Sequence, residues 1–343
     1  MSNFGDLQSL ASSITAVTSP FRNYLTDLYE KYRKLNDGAV ADYIPELALA
    51  KPEWFGICVV TKDGQVFEVG DCDKLFTIQS ISKAFVFGLA LEDHGREYVN
   101  SKVSVEPTGE AFNAIVLDEA TNRPYNPMVN AGAIATADLI EGENGTERLK
   151  RLLEMFKRYT GREHDINVPV FLSEKATGFR NRAMAYLMRN FGMISDKIDE
   201  TLDLYFQQCS ILVNAKDLAM LAATLANGGV NPVTGERAID ERYVQDVISV
   251  MLTCGMYDAS GEWCYRVGMP AKSGVGGGIT AVVPGKLGIG TFSPLLDAKG
   301  NSVRGIKVCQ DLSQDFGLHL FNVAKSERDL QQWIAGGNGI NDW

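Results

Sequence analysis

Apolar side chains recur at helical spacing in Phe21, Leu25, Leu28 and Tyr32. Pro20 stands near the first turn and Asn36-Asp37-Gly38 supplies a stop, so Pro20–Leu35 is predicted to be a helix. Trp54–Thr61 and Gln65–Val69 are β-type runs joined through Lys62-Asp63-Gly64, a hairpin signal. From about Thr77 to Cys254 the period turns helical. Gln79–Glu92 ends near Gly95, Glu147–Tyr159 alternates apolar with basic residues, and Arg180–Phe191 and Ala215–Ala226 follow, the last closed by Asn227-Gly228-Gly229. Strand character returns in Ile279–Val283 and Leu287–Ser293 around Pro284-Gly285-Lys286, and a final helix is expected near Leu312–Lys325.

This order implies an α+β protein: an antiparallel sheet with flanking helices, built from the first and last segments, beside an all-helical lobe. The expected division is a mixed lobe from 20–76 and 270–330, a helical lobe over 77–269, a flexible segment 1–19 and a C-terminal tail 331–343. A cleft between the lobes is the expected ligand site.

Composition narrows the function. The 343 residues include 43 acidic and 33 basic side chains, so 33 − 43 = −10, and 45% are hydrophobic. That acidic balance argues against nucleic acid as a partner, because phosphate neutralisation needs a basic surplus. No window approaches the roughly 20 apolar residues of a membrane span, and the first residues lack a signal-peptide pattern, so no membrane partner and a cytoplasmic location are expected. The six cysteines form no Cys-x-x-Cys pair, and His94 and His164 sit in polar, loop-like settings. Neither set predicts a metal site.

Chemistry concentrates elsewhere. Ser80-Ile81-Ser82-Lys83 puts a hydroxyl and an amine three residues apart on one face of a helix start. A neutral lysine can take the serine proton if burial lowers its pKa, and a helix start directs N–H groups toward an oxyanion. Lys272-Ser273-Gly274, at the start of the returning strands, stands where penicillin-binding proteins and β-lactamases carry Lys-Thr-Gly. A strand edge there can offer a second oxyanion donor.

Six ordered blocks together resemble the serine-dependent glutaminase family: Tyr43-Ile44-Pro45, Gln79 to Lys83, Asn126 to Ile134, Tyr205-Phe206-Gln207 with Cys209-Ser210, Cys254 to Asp258, and Lys272 to Val275. The resemblance runs from about Pro20 to Phe321. It implies a β-lactamase or DD-peptidase-like fold, hydrolysis of L-glutamine to glutamate and ammonia, no cofactor or metal, and a dimeric or tetrameric homo-oligomer. Carried over by position, Ser80 is the nucleophile, Lys83 its proton partner, Tyr257 the proton relay to the leaving ammonia, and the N–H groups of Ser80 and Val275 the oxyanion hole. Tyr43, Asn130, Glu174, Asn181 and Tyr205, with Ser80, Tyr257 and Val275, match the glutamine-binding positions.

These residue types suit the substrate. Glu174 can meet an ammonium group, and Asn and Tyr side chains can donate to a carboxylate. Structural roles stay open for some of them. Asn130 can cap the helix starting at Ala131, and Glu174 can be first-turn helix chemistry. Two other functions fit the same tetrad: a penicillin-recognising peptidase or β-lactamase, and a silent glutamine sensor. The first expects a Ser-Asp-Asn or Tyr-x-Asn second motif where Tyr205-Phe206-Gln207 stands; the second has no use for both Ser80 and Lys83.

Overall fold

The computed structural model describes residues 19–323, 326 and 328–336, so the expectations for Met1–Thr18 and for the end of the tail lie outside the described residues. Helix α1 spans Pro20–Tyr32 with its proline in the first turn. The hairpin forms as expected: β1, Gly56–Thr61, pairs with β2, Val66–Gly70. A short strand β3, Phe76–Thr77, leads through a 3₁₀ turn at Gln79–Ile81 into α2, Ser82–Lys102. The expected stop at Gly95 is a kink instead: with φ +75° it breaks the helix locally, and the chain winds on to Lys102.

From Val103 to Val129 the chain is neither helix nor strand, which the helical period did not indicate. Helices α3 (Asn130–Asp138), α4 (Gly145–Thr160), α5 (Val168–Thr177), α6 (Phe179–Asn190) and α7 (Ile198–Cys209) follow. Strand β4, Leu212–Val213, then pairs with β3. Next come α8 (Ala215–Ala226), α9 (Glu241–Cys254), a 3₁₀ turn at Tyr257–Ala259 and α10 (Ser260–Arg266). The chain returns through β5 (Ala271–Ser273), β6 (Gly278–Val283) and β7 (Leu287–Phe292) to α11 (Val303–Asp315) and α12 (Leu330–Ile334).

The last long helix therefore starts nine residues earlier than the sequence pattern suggested. Ser302 caps it by accepting from the Gly305 N–H, and Gly317, at φ +59°, sits just past its end. Lys325 lies outside the described residues. Strand β5, only three residues long, left no periodic signal.

Early and late strands combine into one antiparallel sheet in the order β2-β1-β7-β6-β5. Both faces of the sheet are covered. Ile57 and Val59 face a core with Phe21, Leu25, Val308 and Leu312; Cys58 and Val60 face a second core that includes α8. With both faces buried, β1 reads as an unbroken apolar run rather than an alternating one.

Helix α8 lies unusually close to the sheet. A Cβ on Gly288 would stand 2.1 Å from the Ala223 nitrogen, and one on Gly290 would stand 2.2 Å from the Ala215 carbonyl oxygen. Only glycine against an alanine-rich helix permits that approach. The stacked rings of Phe76 and Phe292, 4.1 Å apart, seal the junction where β3 turns toward the 3₁₀ turn. Burying one phenylalanine side chain contributes roughly 1.5–3 kcal/mol, so that junction is firmly held.

Candidate active site

Ser80 sits in the middle of the 3₁₀ turn that opens α2 and is buried. The Ile78 N–H donates to the Ile211 carbonyl at 2.8 Å, extending the β3–β4 ribbon up to the turn. Gln79, next in the chain, is held at φ +50°, a conformation non-glycine residues rarely adopt. Tyr257 is the other strained residue here, at φ +57°. Its turn is fixed by Ser260, whose hydroxyl accepts from the Met256 N–H at 3.0 Å and donates to the Tyr257 carbonyl at 2.8 Å. The Tyr257 hydroxyl donates to the Ser273 carbonyl at 3.2 Å; burial raises its pKa, and neighbouring Ser80 pulls it back. Two strained residues thus flank one hydroxyl, the kind of cost a fold retains at working sites.

Lys83, in the first turn of α2, follows Ser80 by three residues, about one helical turn on. Its side chain is fully buried. Nζ donates to Asn130 Oδ1 at 2.6 Å and to the Met128 carbonyl at 3.3 Å. Burial pushes the ammonium down to about 8, partly offset by Cys209 and Glu174. An amine with that pKa is neutral in about a fifth of molecules at pH 7.4, against about one in a thousand for an ordinary lysine.

Asn130 is not a cap: Val129 holds the cap position of α3, and the Asn130 amide instead donates to Asn181 Oδ1 at 3.1 Å. Its place is set by Asn126, whose Oδ1 accepts from the N–H groups of Met128 and Val129 at 3.0 and 3.3 Å. Gly132 then packs on the same loop, where a Cβ would come within 1.9 Å of the Asn126 carbonyl oxygen. The Asn-Pro-Met-Val-Asn-Ala-Gly run is therefore one compact device for presenting Asn130.

Glu174 lies in the last turn of α5, not the first. It accepts from the Tyr43 hydroxyl at 2.7 Å, and burial raises its pKa while hydrogen bonds from Tyr43 and Gln79 pull it down. Gly178 packs tightly where α5 meets α6, a Cβ there reaching 2.5 Å from the Phe206 ring. Tyr205, on α7, is buried beside Cys209, whose thiol burial pushes up to about 12 and so keeps protonated.

These side chains line one cavity of about 390 Å³. Tyr43, Ser80, Asn130, Glu174, Asn181, Tyr205 and Val275 all contribute, and Glu174 is the only carboxylate among the described residues lining it. Lys83 and Tyr257 stand behind the wall, and Lys83 reaches it through Asn130. Val275 is in the β5–β6 turn. Cβ atoms on Gly274 and Gly276 would fall 2.8 Å from the Ile78 oxygen and 2.5 Å from the Thr77 oxygen, so the glycines let this turn press against the Ser80 segment. Among the described residues, neither the Ser80 nor the Val275 N–H donates to a protein acceptor.

Several neighbours had not been singled out as site residues. Phe112, from the irregular segment, packs its ring 4.6 Å from that of Tyr257, and its carbonyl accepts from the Asn130 N–H at 2.8 Å. Gln79 and Arg180 were visible only as members of their motifs; the exposed Arg180 sits at the rim. No spacing rule points to Phe112.

Comparison with known proteins gives a consistent result. Residues 38–321 match the glutaminase family model. A glutaminase of Microcystis aeruginosa is 78% identical, the match covering 96% of this chain and 98% of that protein. One of Trichormus variabilis is 63% identical over 93% and 95%. A solved probable glutaminase, 43% identical, superposes with a TM-score of 0.86 over 88% of this chain and 98% of its own.

Proposed function

The chain belongs to the glutaminase family, with its β-lactamase-like fold, and hydrolyses L-glutamine to L-glutamate and ammonia; from that premise we propose that the reaction runs through a γ-glutamyl ester on Ser80. The observation that carries this reading is the buried Ser80 hydroxyl, one helical turn from a fully buried lysine whose pKa burial lowers to about 8.

Lys83 takes the Ser80 proton as Oγ attacks the carboxamide carbon. The tetrahedral oxyanion meets the otherwise unused N–H groups of Ser80 and Val275. Tyr257 donates its proton to the nitrogen, the C–N bond breaks, ammonia departs, and the proton held on Lys83 restores Tyr257. A water molecule then attacks the ester, Lys83 accepts its proton, and that proton returns to Ser80 Oγ as glutamate leaves. Glu174 pairs with the substrate ammonium, while Tyr43, Asn130, Asn181 and Tyr205 orient its polar groups.

Hydroxylamine tests the ester. Added to wild-type enzyme turning over glutamine, it should yield γ-glutamyl hydroxamate in proportion to its concentration, at the expense of glutamate. If no hydroxamate forms at any concentration, water attacks the amide directly and the acyl-enzyme is wrong.

Glu174→Gln should raise KM by roughly 10–100-fold and change kcat by less than about threefold, because a charge-assisted bond made equally in ground and transition state is lost. A fall in kcat at unchanged KM would instead give Glu174 a part in the chemistry.

The wider reading includes the two-lobe division at about 76 and 270, a cytoplasmic location, which six unbridged cysteines support, and a homo-oligomer. Exposed Phe179, Tyr186 and Phe191 on and beside α6 support self-association. Among the described residues no helix is long and apolar enough to cross a membrane.

A further inference from the structure

Helix α5 carries Glu174 yet is thinly anchored. Of its ten residues only Val170 is buried, in a small cluster with Ile44 and Leu47 against which Val275 also packs. Lys175 adds an ion pair with Asp203 at 2.7 Å, but both side chains are too exposed to hold the helix firmly. With so little apolar burial, hydrogen bonds must set where the last turn of α5 points.

Those bonds come from the loop 43–46. The Tyr43 hydroxyl donates to Glu174 Oε1 at 2.7 Å, and the Ser173 hydroxyl donates to Glu46 Oε1 at 2.9 Å. Each segment gives one hydroxyl and one carboxylate, so the two bonds run in opposite senses. Consecutive helical residues point about 100° apart, so bonds from neighbouring positions to one loop fix the helix in rotation as well as in place. The two bonds are not equivalent. A Glu174 oxygen engaged by Tyr43 is less available to a substrate ammonium, whereas the Ser173 bond uses no atom of Glu174 and survives when that carboxylate is redirected. Glu46 is also costly where it stands. Its Oε2 is buried with no hydrogen-bond partner among the described residues, and its charge lies close enough to oppose ionisation of Glu174. Neither property helps the fold, so the placement calls for a functional reason.

We propose that Glu46 is a positioning residue for glutamine recognition: through Ser173 it locks the last turn of α5 so that Glu174 is held ready for the substrate ammonium. This rests on Glu174 being the ammonium partner, and the experiment separates the two claims. Steady-state kinetics on glutamine are measured for wild type, Ser173→Ala, Glu46→Ala, Glu46→Gln, Glu174→Gln, and Ser173→Ala combined with Glu174→Gln. Ser173→Ala and Glu46→Ala should each raise KM by roughly 5–10-fold, less than loss of the direct charged contact, with kcat within about twofold. Glu46→Gln keeps an acceptor for Ser173 and should return KM to within about twofold of wild type. In the Glu174→Gln background Ser173→Ala should cost no more than about twofold, because the charge it positions is gone.

Unchanged KM in both alanine variants, a loss confined to kcat, failure of Glu46→Gln to restore KM, or an undiminished effect in the Glu174→Gln background would each overturn the role. Wild-type KM in Glu174→Gln would overturn the ammonium assignment, and the Glu46 role with it. Thermal melts accompany each variant. If Glu46→Ala gives no cooperative transition, Ser173→Ala, which removes the same bond from the helix side, decides, with Ser173→Thr as the variant that should restore KM.

Discussion

Ser80→Ala should reduce glutamine turnover by at least about 10⁴-fold, the scale on which loss of a nucleophile is felt when the rest of its machinery remains. Binding of glutamine should persist, measurable by calorimetry, because the substitution removes one oxygen from the cavity wall and leaves Tyr43, Asn130, Glu174, Asn181 and Tyr205 in place. The variant should melt within a few degrees of wild type, since Tyr257 keeps the Ser273 carbonyl as its hydrogen-bond partner. Residual activity within a hundredfold of wild type would sink the nucleophile assignment.

The second large effect concerns Lys83. Its neutral form is the base, and its folded pKa of about 8 lies below the ordinary lysine value. The wild-type kcat/KM should therefore rise with pH through a midpoint near 8 and flatten above it. Below that midpoint the amine is protonated and cannot accept from Ser80. Lys83→Met, close in volume but unable to take a proton, should lose about 10³–10⁴-fold in kcat and no longer show this limb. A limb surviving unchanged in the variant would assign it to another group. The same shift has a stability counterpart with a definite sign. A lysine whose folded pKa is depressed binds fewer protons folded than unfolded, so stability rises with pH between about 8 and the ordinary lysine range near ~10.4.

Most of this molecule could be read in advance where local chemistry decides. The hairpin at Lys62-Asp63-Gly64, the capped helix Ala215–Ala226 and the strands either side of Pro284-Gly285-Lys286 appear where periodicity and turn residues put them. The motifs also announced the candidate chemistry: Ser80, Asn130, Glu174 and Val275, far apart in the chain, line one cavity.

What escaped was set by tertiary contact. Strand β5 has three residues and exists because β6 pairs with it. Gly95 looked like a terminator, yet packing carries α2 beyond it as a kink. Phe112 is in an irregular segment with no period to reveal it, and reaches Tyr257 only because the Asn130 N–H holds its carbonyl. Asn130 reads as a cap in sequence, since nothing local tells that a buried lysine needs its oxygen.

The strand order has one more consequence, for the timing of synthesis. Strand β1 lies between β2, its immediate successor, and β7, which is made more than two hundred residues later. At roughly 5–20 residues per second, the newborn hairpin waits on the order of ten seconds or more with one edge uncovered and with the face that α8 later covers exposed. Such an edge is open to pairing with other chains. Val275 arrives in the same late stretch, so the nascent chain carries Ser80 long before it can assemble an oxyanion hole. Hydrolytic competence and protection of the sheet are reached together, near the end of translation.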